Sequence, residues 1–145
     1  MKRLVNISPA VTLLSLVLFI AGDYHSKGMS VLQNPRVSRL ELRAAADYFE
    51  TSRSVWPAPA ADAAHGRVNL MRAVVERDPS YVRAAYADFN RAVKKSPATA
   101  GFRAGLGETL LTMGDTPLAA MQFKEAARLD PKGPYVEWVL ELILG

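Results

Sequence analysis

The chain has 145 residues, half of them apolar and 22% charged, which suits one folded domain and excludes both a disordered polar tail and a wholly membrane-embedded protein. It has no cysteine, so disulfide frameworks, thiolate metal sites and cysteine nucleophiles are ruled out together. The net charge is +4, with Lys2 and Arg3 standing apart ahead of an apolar run, and the remainder is too weakly basic for the concentrated positive surface of a nucleic-acid binder.

After Lys2 and Arg3 no charge appears until Asp23. As a helix, the uncharged run Leu4–Gly22 would span about 28 Å, against about 30 Å for a bilayer core. A charged start followed by a short apolar centre (Ala10–Ile20) describes a signal anchor and a cleaved secretory signal alike. Cleavage after Gly22 or Ala21 would place Ile20 or Phe19 three positions back, where a small residue is needed. An uncleaved anchor is therefore the leading reading, ahead of a cleaved signal and of a buried core helix. The positive flank keeps the N-terminus in the cytoplasm. With the Ala- and Arg-rich composition, this predicts a single-pass protein of the bacterial inner membrane with a periplasmic C-terminal domain, or a soluble periplasmic protein if the signal is cleaved. The expected organisation is residues 1–22 as anchor or signal peptide, 23–33 as a membrane-proximal linker, and 34–145 as a helical domain.

The domain reads as a row of short helices. Asn34-Pro35 supplies a capping residue and a first-turn proline, and Val37, Leu40, Ala44 and Tyr48 follow at helical steps. Trp56-Pro57-Ala58-Pro59 stops that helix. A second helix runs from Ala60 to Arg77 with Ala64, Val68, Met71 and Val75 on one face, and Asp78-Pro79 ends it. A third carries Val82, Tyr86, Phe89 and Val93 up to Ser96-Pro97. A fourth, Thr99 to Met113, presents Phe102, Leu106 and Leu110 and closes on a Gly114-Asp115 turn. A fifth begins at Thr116-Pro117 and carries Leu118, Met121, Ala126 and Leu129, and a last follows Pro131 and Pro134 to the end. No stretch alternates with the period of a strand, so the class is all-α.

Ala85, Phe89, Ala92 and Pro97 recur 34 residues later as Ala119, Phe123, Ala126 and Pro131. Leu106-Gly107 adds a large-then-small pair in the first helix of the second copy, and Ala45, Phe49, Ser52 and Pro57 keep the same internal spacing farther upstream. A 34-residue helix–turn–helix unit is similar to the tetratricopeptide repeat (TPR) family, and the resemblance covers about residues 60–131. It implies a helical-hairpin solenoid of about two full repeats plus flanking helices, with alanines where helices approach, phenylalanines between repeats, and Pro97 and Pro131 ending second helices. Two positions depart from the pattern: Arg103 stands where a large hydrophobe is usual, with Phe102 beside it, and Arg72-Ala73 replaces Leu-Gly.

The resemblance also implies a concave surface, lined by first helices, that takes an extended peptide or helix. The candidate lining residues are Arg67, Leu70, Met71 and Val74, then Ala104, Glu108 and Leu111. The lysine- and asparagine-rich clamp that grips C-terminal carboxylates in some family members has no match here. His25 and His65 are the only histidines; His65 and Asp62 at helical spacing read as a surface pair rather than metal ligands. Gly101, Gly105 and Gly107 lie within a helix, with no preceding strand to make a phosphate loop. Lys94-Lys95 reads as a helix-end charge complementing the dipole.

No catalytic constellation, metal or cofactor is expected. The C-terminal helix is apolar on most of its circumference, with Glu137 and Glu141 its only charges, so it needs a second surface. Packing onto the 34–54 helix, self-association into a homo-oligomer, and docking on a membrane-associated partner through Trp138 and Leu142 remain open. The expected function is a non-catalytic adaptor assembling an envelope complex. The alternative is an accessory or regulatory subunit of a membrane-bound enzyme or polysaccharide-export machine.

Overall fold

A computed structural model of the chain describes residues 9–34 and 36–133, together with positions 139 and 141. From residue 9 to residue 133 the described residues form six helices in succession: α1 Pro9–Leu32, α2 Arg39–Val55, α3 Pro59–Glu76, α4 Ser80–Lys95, α5 Ala100–Thr112 and α6 Thr116–Leu129. No strand occurs among the described residues. Pro57, Pro79 and Pro97 sit in three of the connections, and Gly114 takes a left-handed φ of 84° in the tight turn before α6.

α2 begins at Arg39 rather than at the Asn34-Pro35 signal. Ser38 and Glu41 form a reciprocal capping box: the Ser38 hydroxyl accepts from the Glu41 amide at 3.3 Å, and the Glu41 carboxylate accepts from the Ser38 amide at 2.7 Å. Two satisfied amides outweigh the upstream proline signal. Ser38→Ala is expected to cost about 1 kcal/mol, read as a lowered urea midpoint; an unchanged midpoint would show that this cap does not govern where α2 starts.

The helices pair as three hairpins, α1–α2, α3–α4 and α5–α6, and neighbouring hairpins meet through α2–α3 and α4–α5. The first helices α1, α3 and α5 also touch in succession, so they form one layer and the second helices the other. The repeat positions read from the sequence occupy the seams. Ala45, Ala85 and Ala119, then Phe49, Phe89 and Phe123, then Ser52, Ala92 and Ala126 are all buried. Burial of each phenylalanine side chain contributes about 1.5–3 kcal/mol. The rings fit because glycines face them: a methyl group added at Gly107 would stand 2.9 Å from the Phe123 ring, and one at Gly28 would stand 2.6 Å from Phe49.

Gly28 belongs to α1, and this changes the organisation expected from the sequence. Residues 23–32 are not a linker; they continue α1 and form the first helix of the first hairpin. On their contact face a histidine and a glycine stand among Tyr24, Val31 and Leu32. The buried Ser52 hydroxyl donates to the Ala21 carbonyl at 2.9 Å, and the His25 ring meets Phe49 edge-on at 5.3 Å. Asp23 and Lys27 pair on the outer side at 2.7 Å. The described residues thus form three hairpins, where two repeats with flanking helices were expected. No helix among the described residues is long and apolar enough to cross a membrane.

Two apolar clusters hold the hairpins together. One joins Leu42, Ala45, Ala46 and Phe49 of α2 to Ala64 and Val68 of α3, with Val31 and Leu32 of α1 against it. The other joins Phe89 and Val93 of α4, Leu106 and Leu110 of α5, and Ala119, Phe123 and Ala126 of α6, and it includes Val139. Val139 is thus buried within the α4–α6 cluster. Trp138 and Leu142 lie outside the described residues.

Candidate functional site

The three first helices enclose a cleft of about 280 Å³. α1 supplies His25, Met29 and Leu32; α3 supplies Ala60, Ala63, Ala64 and Arg67; α5 supplies Gly101 and Phe102; and Phe89 of α4 also lines it. Small side chains on α3 and α5 keep the walls low enough to admit a ligand, while Met29, Leu32 and Phe102 give it apolar surface. The polar groups are few. Arg67 is exposed and free to meet an acid, and burial lowers the His25 pKa, so this imidazole is neutral at pH 7.

Of the groove residues named from the sequence, Arg67 lines this cleft. Val74, 75% exposed, lies two turns along the same stripe of α3. Leu70 packs against the cluster of α4–α6, and Met71 against the cluster of α2 and α3, because α3 has neighbours on both flanks. Ala104 and Leu111 pack on the α4–α6 cluster, and Glu108 is half-buried. The α1 contribution was missed because that segment read as anchor and linker. Phe102 does take the place left by Arg103: it packs on the core while facing the cleft. Arg103 turns aside and donates to the Pro97 carbonyl at 3.2 Å and to the Gln122 side chain at 3.1 Å. The other departure resolves similarly. The Arg72 guanidinium stacks over the Tyr81 ring at 4.1 Å and pairs with Glu76 at 2.8 Å. Hydrogen bonds from Arg43 and Arg72 hold the Glu76 carboxyl down to about 2.

A second polar group, the Asp62–Asp88 network, draws together α2, α3 and α4. Asp62 and Asp88 are both buried, at 2% and 3% exposure. Lys95 donates to Asp62 at 2.6 Å and Arg91 does so at 3.2 Å. Asp88 accepts from Arg53 at 3.0 Å, from the Asn69 amide at 2.9 Å, from His65 Nδ1 at 2.8 Å, and from Arg91. Burial alone pushes the Asp88 carboxyl up, but the hydrogen bond and charge of His65, with Asn69 and Arg91, outweigh it and hold the carboxyl below its ordinary value. Two expectations are corrected. His65 pairs with Asp88 rather than standing as a surface pair with Asp62, and Lys95 is an interhelical partner as well as a helix-end charge. Every cation of the network is spent on a carboxylate, and no cluster of metal-ligating side chains occurs among the described residues.

No protein-family model and no curated protein matches the chain. Solved structures do match. The first TPR domain of Spaghetti (RPAP3), bound to the HSP90 peptide SRMEEVD, superposes with a TM-score of 0.73 at 14% identity, over 86% of this chain and 90% of that one. The fold is TPR-like. The NMR structure of the first TPR domain of human RPAP3 agrees, with a TM-score of 0.74 at 14% identity over 87% and 91% of the two chains. In TPR terms, α1, α3 and α5 are the first helices of three repeats, and the cleft lies on the face they share.

Proposed function

We propose that the chain is a non-catalytic TPR adaptor that binds a segment of a partner protein in the cleft between α1, α3 and α5. It works at the bacterial inner membrane, with its helical domain in the periplasm, and helps to hold an envelope complex together. The cleft carries the binding reading: three first helices present a mostly apolar lining with one cation, Arg67. A solved TPR neighbour bound to a peptide supports a protein segment as the occupant. The lining has no lysine and no asparagine, so the occupant is an apolar segment with an acidic side chain opposite Arg67, not a C-terminal carboxylate held in a clamp. The charged start at Lys2-Arg3 and the uncharged run Leu4–Gly22 support the location.

Peptides selected against the protein from a random library, followed by NMR shift mapping, test the binding reading. Shifts are expected at His25, Arg67 and Phe102. Arg67→Glu is expected to weaken binding by about tenfold or more, the loss of one charge-assisted hydrogen bond. Shifts that map elsewhere, or binding indifferent to Arg67→Glu, would overturn it.

A further inference from the structure

The N-terminal half of α1 is not packed like the rest of the helix. Leu13, Leu14, Leu16, Leu18 and Phe19 are exposed, Leu13 at 64% and Phe19 at 73%. At about 100° per residue these five positions are distributed around the whole circumference, and Ser15 is the one exposed polar residue among positions 13–20. From Ala21 onward the same helix is docked: Ala21 and Gly28 are buried against α2, and Met29 and Leu32 reach the cleft. One uninterrupted helix therefore passes from an all-round apolar rod into the first helix of the repeat domain.

We propose that this rod, which among the described residues is too short to cross a bilayer by itself, inserts in a lipid bilayer and that the TPR domain sits directly on the membrane surface, held upright by helix continuity rather than tethered. The proposal rests on the membrane location given above and adds the geometry. A single protein face could cover only one side of α1, whereas hydrocarbon covers every side at once. The positive start, Lys2 and Arg3, lies before the rod, and the first charges after it, Asp23 and Lys27, pair with each other at 2.7 Å. Trp56, 43% exposed, borders a cleft with Leu18 and Ala21 where the rod leaves the body. An exposed tryptophan at that level suits the interfacial region of a bilayer. The α2–α3 end of the domain then faces lipid, and the α3–α4 end points away.

The absence of cysteine allows single cysteines to be placed at will. Ser54→Cys near Trp56 and Ser80→Cys at the start of α4 would each carry a fluorophore in the full chain. The chain is reconstituted into phosphatidylcholine–phosphatidylglycerol vesicles containing a lipid quencher at the headgroup level. Loss of emission is expected at position 54 and not at position 80. A flexible glycine–serine insert between Ile20 and Ala21 is expected to abolish that difference while leaving flotation with the vesicles intact. Flotation with equal quenching at both positions would overturn the upright geometry and leave the anchor standing. Failure to float would overturn the membrane reading itself. A chain that stays off the vesicles and self-associates through this segment would assign the rod to a second copy.

Discussion

Phe49→Ala is expected to destabilise the protein by about 3–5 kcal/mol, the range for emptying a fully buried aromatic site. The ring fills the seam between α1 and α2 against Gly28 and the His25 edge, and it belongs to the cluster that carries α2 onto α3. Losing it opens both sides of the first hairpin. Phe89→Ala and Phe123→Ala are expected in the same range, because each ring lies against a glycine of a neighbouring helix. Urea unfolding of the full chain followed by circular dichroism reads all three. A domain this small has stability of the same order as such a loss, so cooperative unfolding should vanish. A change below about 1 kcal/mol at Phe49, with large changes at the other two, would mean that α1 is not part of the folded unit.

Asp88→Ala is expected to cost about 3–5 kcal/mol, because it strands the guanidinium of Arg53, the amide of Asn69 and the ring of His65 in a part-buried site. Asp88→Asn keeps the shape but not the charge, and should fall between the two. The same carboxylate sets an acid limit. Its folded pKa is depressed, so its contribution is complete above the unfolded carboxylate value of about 3.9 and is lost as the pH falls through the lower folded value. Urea midpoints measured down an acid series should fall over that interval for the natural chain and much less for Asp88→Asn. Parallel curves for the two proteins would remove Asp88 from the account.

The second helices of the hairpins were legible because they repeat a pattern with a steric cause: small residues at the crossings, a phenylalanine in the seam, a proline at the end. Even the upstream copy at Ala45, Phe49 and Ser52 proved to be a true second helix. Its partner α1 was not legible. The docked half offers Ala21, Tyr24, His25, Gly28, Val31 and Leu32, a face whose apolar period is broken by a histidine and a glycine, while the other half has the composition of a span. In the cleft, Arg67 could be read because the resemblance places the lining on the first helix of each repeat. Leu70 and Met71 could not be placed because α3 is flanked on two sides, and periodicity alone does not tell a core stripe from a binding stripe. Asp62 and Asp88 left a fainter signal: Asp88 lies at helical spacing between Ala85 and Ala92, on a face where an unpaired charge could not stay.

Both joints between hairpins are packed with apolar side chains, but only the first adds ion pairs. Arg43 and Arg53 of α2 reach Glu76, Asp62 and Asp88 across the first joint, whereas none of the ion pairs among the described residues links α4 to α5. The second joint closes by pressing the Phe89 ring onto the backbone at Gly105, where a methyl group would overlap it. In a nearest-neighbour array each joint fails on its own terms. Acid and salt weaken the ionic part of the first joint and leave the second untouched; cooling, which weakens apolar burial, acts on both, since the cluster of Leu42, Phe49 and Val68 also spans the first. Acid therefore opens the array at its first joint, and the cleft, which needs all three hairpins, is complete only while both joints hold.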